Sequence, residues 1–184
     1  MIIHSIFELV NESLFSIRFD HEPTDEFSRL FNSWQDVEYL EAFFEDHQED
    51  LDLKFWRGIS IEDAISKTIR DARKLEQKLI QIAESGKTSK DETLTSFFKP
   101  LSNSTTKFSL FEKNKVTGLE HPSWLRIYAI RLEVNLFVIS GGGIKLTQTM
   151  NEREHLRQEL QKLEIVKNYL QNQDNIDLLP FELF

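Results

Sequence analysis

Hydrophobic and polar positions alternate at the start of the chain. Residues 3–9 and 14–19 are short runs rich in β-formers, separated by Asn11-Glu12-Ser13, and they predict a hairpin. In the second run Phe15, Ile17 and Phe19 share one face, while Ser16 and Arg18 share the other. Pro23 breaks the pattern. Thr24 is placed to cap a short helix over residues 25–31, with acids in its first turn. From 33 to 53 the period is helical, through Trp34, Val37, Leu40 and Phe44 on an acidic background.

Phe55-Trp56-Arg57-Gly58 reads as an apolar connector that packs the N-terminal part onto the rest. Ser60 and Asp63 then approximate a capping box. Ile61, Ile65, Thr68, Ala72, Leu75, Leu79 and Ile82 follow as one stripe of a helix of about seven turns that stops at Gly86. The stripe suits a core; it also allows a homodimer through Leu75 and Leu79. Lys67, Arg70, Asp71, Arg73, Lys74, Glu76 and Lys78 form its other, solvated face.

Further on, residues 94–98 predict a turn or short strand, 107–111 a strand, and 112–122 a loop containing Gly118. Residues 124–132 and 136–140 predict a hairpin across Glu133-Val134-Asn135. Gly141-Gly142-Gly143 bends or bulges its second strand, and 144–149 stays extended. Thr149 or Asn151 caps a last helix, with Glu152 or Glu154 three residues on. Its stripe is Leu156, Leu160, Leu163, Val166 and Leu170. The apolar tail over 176–184 should dock on this chain or a partner. The pattern predicts an α+β fold: a small twisted antiparallel sheet against long helices, preceded by a β-hairpin and short acidic helices. Residues 1–60 form an acidic layer and 61–184 the main domain, unless the two close into one compact unit.

Composition sharpens this picture. The chain has 184 residues, is 40% hydrophobic and holds 15 Phe, which is a globular composition. It has no cysteine, so disulfides and thiolate metal sites are excluded. No signal-peptide pattern and no apolar run of membrane-spanning length stands out, so a cytoplasmic protein with no membrane partner is expected. The net charge of −9 is unevenly placed: residues 1–60 hold 14 Asp or Glu against 4 Lys or Arg, and residues 99–167 hold 11 basic against 7 acidic residues. The N-terminal acids form a solvated face, or a surface that meets a basic partner or covers a basic site in the same chain.

Recognisable catalytic signatures are missing from the sequence. GGGIKLT does not have P-loop spacing, and it is better read as backbone geometry. The five histidines are scattered and make no HxxxH or HExxH pair, so neither a metal nor another cofactor is expected. What remains is a set of cations with a tyrosine. Strand alternation puts Trp124, Arg126, Tyr128 and Ile130 on one face, and Leu125, Ile127, Ala129 and Arg131 on the other. Lys145 follows the glycine bend and can reach Arg126 and Tyr128. These three suit phosphate recognition, because arginine offers a fork of donors and lysine a point charge. Alternatively, Arg126 pairs with an acid and Lys145 is simply exposed.

Phe98-Lys99-Pro100-Leu101, the strand 107–111, Arg126-Ile127-Tyr128, Phe137-Val138-Ile139 and Ile144-Lys145-Leu146-Thr147-Gln148-Thr149 before a final helix carry a resemblance. Over roughly residues 61–171 the chain resembles the RelE/ParE/HigB-type toxins of bacterial toxin–antitoxin systems. The resemblance implies a metal-independent endoribonuclease that cuts messenger RNA, often on the ribosome, by attack of the 2′-hydroxyl. Arg126 would then stabilise phosphate, Tyr128 would orient or exchange a proton, and Lys145 would neutralise charge. His121 is a further catalytic candidate, and Lys99, Lys107, Arg131 and Thr147 are candidates for binding substrate. A cognate antitoxin or another protein is the expected partner. The sequence departs from the pattern in its length and acidity, and in Ala129 where a second tyrosine is usual. The competing expectations are a non-catalytic interaction protein on the same fold, as in phage defence or regulation, and a dimerisation module without a nucleic-acid role.

Overall fold

The computed structural model describes residues 1–53, 55–56, 58–89, 91–101, 111–116 and 122–172. The fold is α+β, built on a six-stranded sheet: β1 (Ile3–Val10), β2 (Leu14–Phe19), β3 (Lys99–Pro100), β4 (Glu112–Val116), β5 (Leu125–Glu133) and β6 (Leu136–Ile144), in the order β1-β2-β6-β5-β4-β3. Every pairing is antiparallel except β2 with β6, where Leu14, Phe15 and Ser16 run parallel to Phe137, Val138 and Ile139. The N-terminal hairpin therefore supplies two strands of the one sheet.

The helices are α1 (Glu26–Ser33), α2 (Val37–Asp46), α3 (Gln48–Leu51), α4 (Ile61–Ser85), α5 (Leu94–Phe97) and α6 (Glu154–Gln171). One face of the sheet presents Ile127, Ala129, Phe137 and Ile139 to α1, α2 and α4, and the other presents Ile17, Ile130 and Val138 to α6. The stripe of α4 is buried from Thr68 to Ile82, with Leu75 and Leu79 inside the core of this same chain, while Ile61 and Ile65 at its start are half-buried against that core. Among the described residues, no helix is long and apolar enough to cross a membrane.

Several expectations are corrected. Asp25, not Thr24, caps α1, because its carboxylate accepts from the Phe27 and Ser28 amides. The helical period over 33–53 is cut into the end of α1, α2 and α3; Asp36 starts a new helix by accepting from the Tyr39 amide. The loop expected at 112–122 begins with a strand, β4, whose side chains lack apolar alternation and which is held by its ladder to β5. Asp71 does not lie on a solvated face of α4. It is fully buried and paired with Lys67 at 2.6 Å. Thr149 and Glu152 do form a capping box, but on a single 3-10 turn, Met150–Glu152, after which α6 starts. Most of the strand at 107–111, the tail at 176–184, Arg57 and Gly118 lie outside the described residues.

A polar pin joins distant turns at one end of the sheet. The Ser13 hydroxyl lies 3.0 Å from the Ala83 carbonyl and 2.8 Å from that of Asn135. The Asn135 amide group donates to Ser13 Oγ and to Ala83 O, and its oxygen accepts from the Leu94 amide. Four elements that are far apart in sequence thus satisfy one another's buried polar groups.

Candidate functional site

The sheet brings Arg126, Tyr128 and Lys145 together on the α6 face. Tyr128 stands in register with Lys115 of β4, Lys115 in turn with Lys99 of β3, and Arg126 with Gly143 of β6. Strand alternation puts the side chains of Lys99, Lys115, Arg126 and Tyr128 on this one face. The Lys145 amide donates to the Trp124 carbonyl, which fixes Lys145 beside the start of β5.

The local geometry differs from residue to residue. Arg126 Nη1 donates to the carbonyls of Ser123 and Leu125, both at 2.7 Å. Burial lowers the guanidinium's pKa. Lys145 Nζ donates to the carbonyls of Thr147 and Gln148 at 2.8 and 2.6 Å. Its pKa is lowered first by burial, then by the nearby Arg126 and Lys115 charges, with Glu152 opposing. Among the described residues, no carboxylate forms an ion pair with Lys99, Lys115, Arg126 or Lys145. Arg126 and Lys115 are close enough to Lys145 for their charges to bear on it.

Tyr128 is on the expected face but is not open to a substrate. It is buried under the start of α6, its hydroxyl donates to Met150 Sδ at 2.8 Å, and burial keeps it protonated far above its ordinary range. Trp124 is also not on this face. β5 begins one residue later, so alternation does not reach back to it, and its indole lies in the other core, donating to Thr68 Oγ1 at 2.9 Å. Arg131 points to the α4 face and pairs with Glu112 at 2.7 Å. Thr147 is buried, donates to the Thr149 carbonyl, and offers its own carbonyl to Lys145. His121 and Lys107 lie outside the described residues.

No family model, no curated protein and no solved structure matches this chain.

A second cluster lies across the same strands. β2 leaves β6 after Ser16, and a cleft of about 270 Å³ opens between α1, α2, α6 and the glycine run. A bulge at Ser140 shifts the register, and the Gly142 amide donates to Glu159 Oε2 at 2.8 Å instead of to a strand. Glu159 Oε1 accepts from Lys162 at 3.1 Å and Arg29 at 3.3 Å, and both cations also grip the buried Glu26. Burial raises the Glu159 pKa against the pull of Lys162 and Arg29. Sequence reasoning missed this quartet. The buried side of α6 runs Leu156, Glu159, Leu163, Val166, Leu170 at spacings of three and four, so a carboxylate occupies a core position of the stripe. That displaced acid was the one available signal; Glu26 and Arg29 reach it only through the fold. Among the described residues, no three His, Asp or Glu side chains are grouped as metal ligands would be.

Proposed function

We propose that this protein is an RNA-directed, toxin-like protein that grips the sugar–phosphate backbone with Lys99, Lys115, Arg126 and Lys145. One observation carries the reading. Register places four cations on one sheet face, in a chain of net charge −9, and among the described residues none of them is in an ion pair, although Glu152 acts on Lys145 from a distance. Clustered cations otherwise cost repulsion, and phosphate oxygens would relieve it. Arg126 keeps Nε and Nη2 for a ligand, because its described hydrogen bonds use only Nη1.

The arrangement favours binding over cleavage by these residues. Attack by a 2′-hydroxyl needs a group that accepts its proton. Tyr128 is buried, protonated and committed to Met150, so it packs beside Arg126 and is not placed to accept that proton. A cognate antitoxin of the kind found in the resembling systems would be expected to cover the same cations.

The test is fluorescence anisotropy of single-stranded RNA with wild type and the Lys115→Ala/Arg126→Ala/Lys145→Ala variant. The variant should bind at least about tenfold more weakly, and its salt slope should fall by about 2, near 0.7 for each lost phosphate contact. Equal binding by a folded variant would overturn the reading. Induced expression of both proteins, with growth and transcript integrity measured, tests the toxin component separately.

A further inference from the structure

We propose that the cleft between α1, α2 and α6 is a binding site for a neutral, flat heterocycle with a ring N–H beside a carbonyl, as in uracil or guanine. Two histidines line this cleft. His47 Nδ1 lies 2.8 Å from the Phe43 carbonyl, and His155 Nε2 lies 3.0 Å from the Ile144 carbonyl. A carbonyl can only accept, so each of these nitrogens carries the proton. When the ring is neutral its other nitrogen is an acceptor, His47 Nε2 and His155 Nδ1. Neither has a hydrogen-bond partner among the described residues, and both rings line the cleft. The rings meet edge to face, with centroids 5.0 Å apart. Burial holds His155 below its ordinary pKa, which favours the neutral form.

Donors line the same cleft from α1 and α2. Arg29 uses Nε and Nη2 on Glu26 and Glu159, and Nη1 has no described partner. Tyr39 lines the cleft with a hydroxyl that has no described partner either, and burial raises its pKa, so it stays a donor. The floor is the backbone of Gly142 and Gly143, and the wall is the ring ladder Tyr39–Phe43–His47, with Phe43 lying flat on His47 at 4.3 Å. Beside the aromatic wall, two donors suit the two carbonyls of a uracil imide and one histidine nitrogen its ring N–H, while both histidine nitrogens and one donor suit the edge of guanine.

An anion suits the cleft less well. All three Lys162 protons are used, two on Glu26 at 3.0 Å and one on Glu159 at 3.1 Å, and Arg29 forks onto Glu26. Both cations are neutralised from below. The inference does not rest on the RNA reading, although the two sites are neighbours, since Gly143 of the cleft is in register with Arg126.

Two sources share this chemistry, a free nucleoside and an unstacked base of a strand. The test is titration of the ¹⁵N-labelled wild-type protein with uridine, followed by NMR. Uridine should shift the amides of Tyr39, His47 and Gly143 and saturate in roughly the millimolar range or below. Its 3-methyl derivative lacks the ring N–H and should bind at least about tenfold more weakly. Tyr39→Phe and His47→Phe keep the rings and should each weaken uridine binding. A pentauridylate arm separates the sources. Tightening over uridine that disappears in the Lys115→Ala/Arg126→Ala/Lys145→Ala variant assigns the site to a strand's base, and equal affinity assigns it to the free nucleoside. Absence of shifts in cleft residues, or equal binding of uridine and 3-methyluridine, would overturn the proposal.

Discussion

The Gly142 amide donates to Glu159 Oε2 at 2.8 Å, at the point where β6 loses its neighbour on the β2 side. A side chain of α6 thus takes the place of a strand. The bond ties the bulge in the sheet to the charge quartet of Glu26, Arg29, Glu159 and Lys162, and gives the glycine run a structural reason.

That relationship predicts unequal glycines. A Cβ on Gly142 would sit 2.2 Å from the Arg126 carbonyl oxygen and 2.9 Å from Leu30, whereas one on Gly143 would meet nothing closer than 3.6 Å. Gly142→Ala should lower stability by about 3 kcal/mol or more, and Gly143→Ala should stay within about 1 kcal/mol of wild type, as urea unfolding of both will show.

Glu159 gives a pH prediction. Burial raises its folded pKa above the unfolded value of about 4.5. Between the two values the folded state holds more protons than the unfolded one, so stability falls as pH rises through that window. Glu159→Gln removes the titration. The stability of wild type relative to Glu159→Gln should therefore decline from pH 4.5 towards neutrality, measured by urea unfolding at successive pH values; a difference that grows with pH would contradict the assignment.

Lys67 and Asp71 form a pair in which the carboxylate is fully buried and the lysine stem lies near the Trp124 ring, its Nζ 5.2 Å from the ring centroid. Lys67→Met removes the cation and leaves the carboxylate in the core. The expected loss is about 3 kcal/mol in chemical denaturation.

Tyr128→Phe tests the distinction between binding and chemistry. The substitution removes one hydroxyl donated to a thioether and leaves the ring in the core. RNA affinity should stay within about twofold of wild type and stability within about 1 kcal/mol. A large drop in RNA cleavage with folding intact would restore a proton-transfer role to Tyr128.

Local signals made much of the fold readable. Asn11-Glu12-Ser13 marks a hairpin, Ser60 caps α4 as its side chain suggests, and the Glu133-Val134-Asn135 turn joins β5 to β6. β4 was hidden because Glu112-Lys113-Asn114-Lys115-Val116 carries no alternation of its own; its strand is imposed by β5. Alternation placed Arg126 and Tyr128 on one face, but it could not show that α6 covers Tyr128 and spares Arg126. Lys115 was invisible as a site residue for the same reason as its strand. The cleft was beyond reach, because His47 and His155 meet only through the packing of α2 on α6.

The polar pin has a consequence for the order of assembly. Ser13 and Asn135 are 122 residues apart, and β2 finds its parallel neighbour only when Phe137 to Ile139 are present. On a ribosome the first hairpin would leave the tunnel long before the strand it docks on. Its apolar face must wait unpaired while the intervening residues are made, which leaves this hairpin exposed to chaperones and to mispairing.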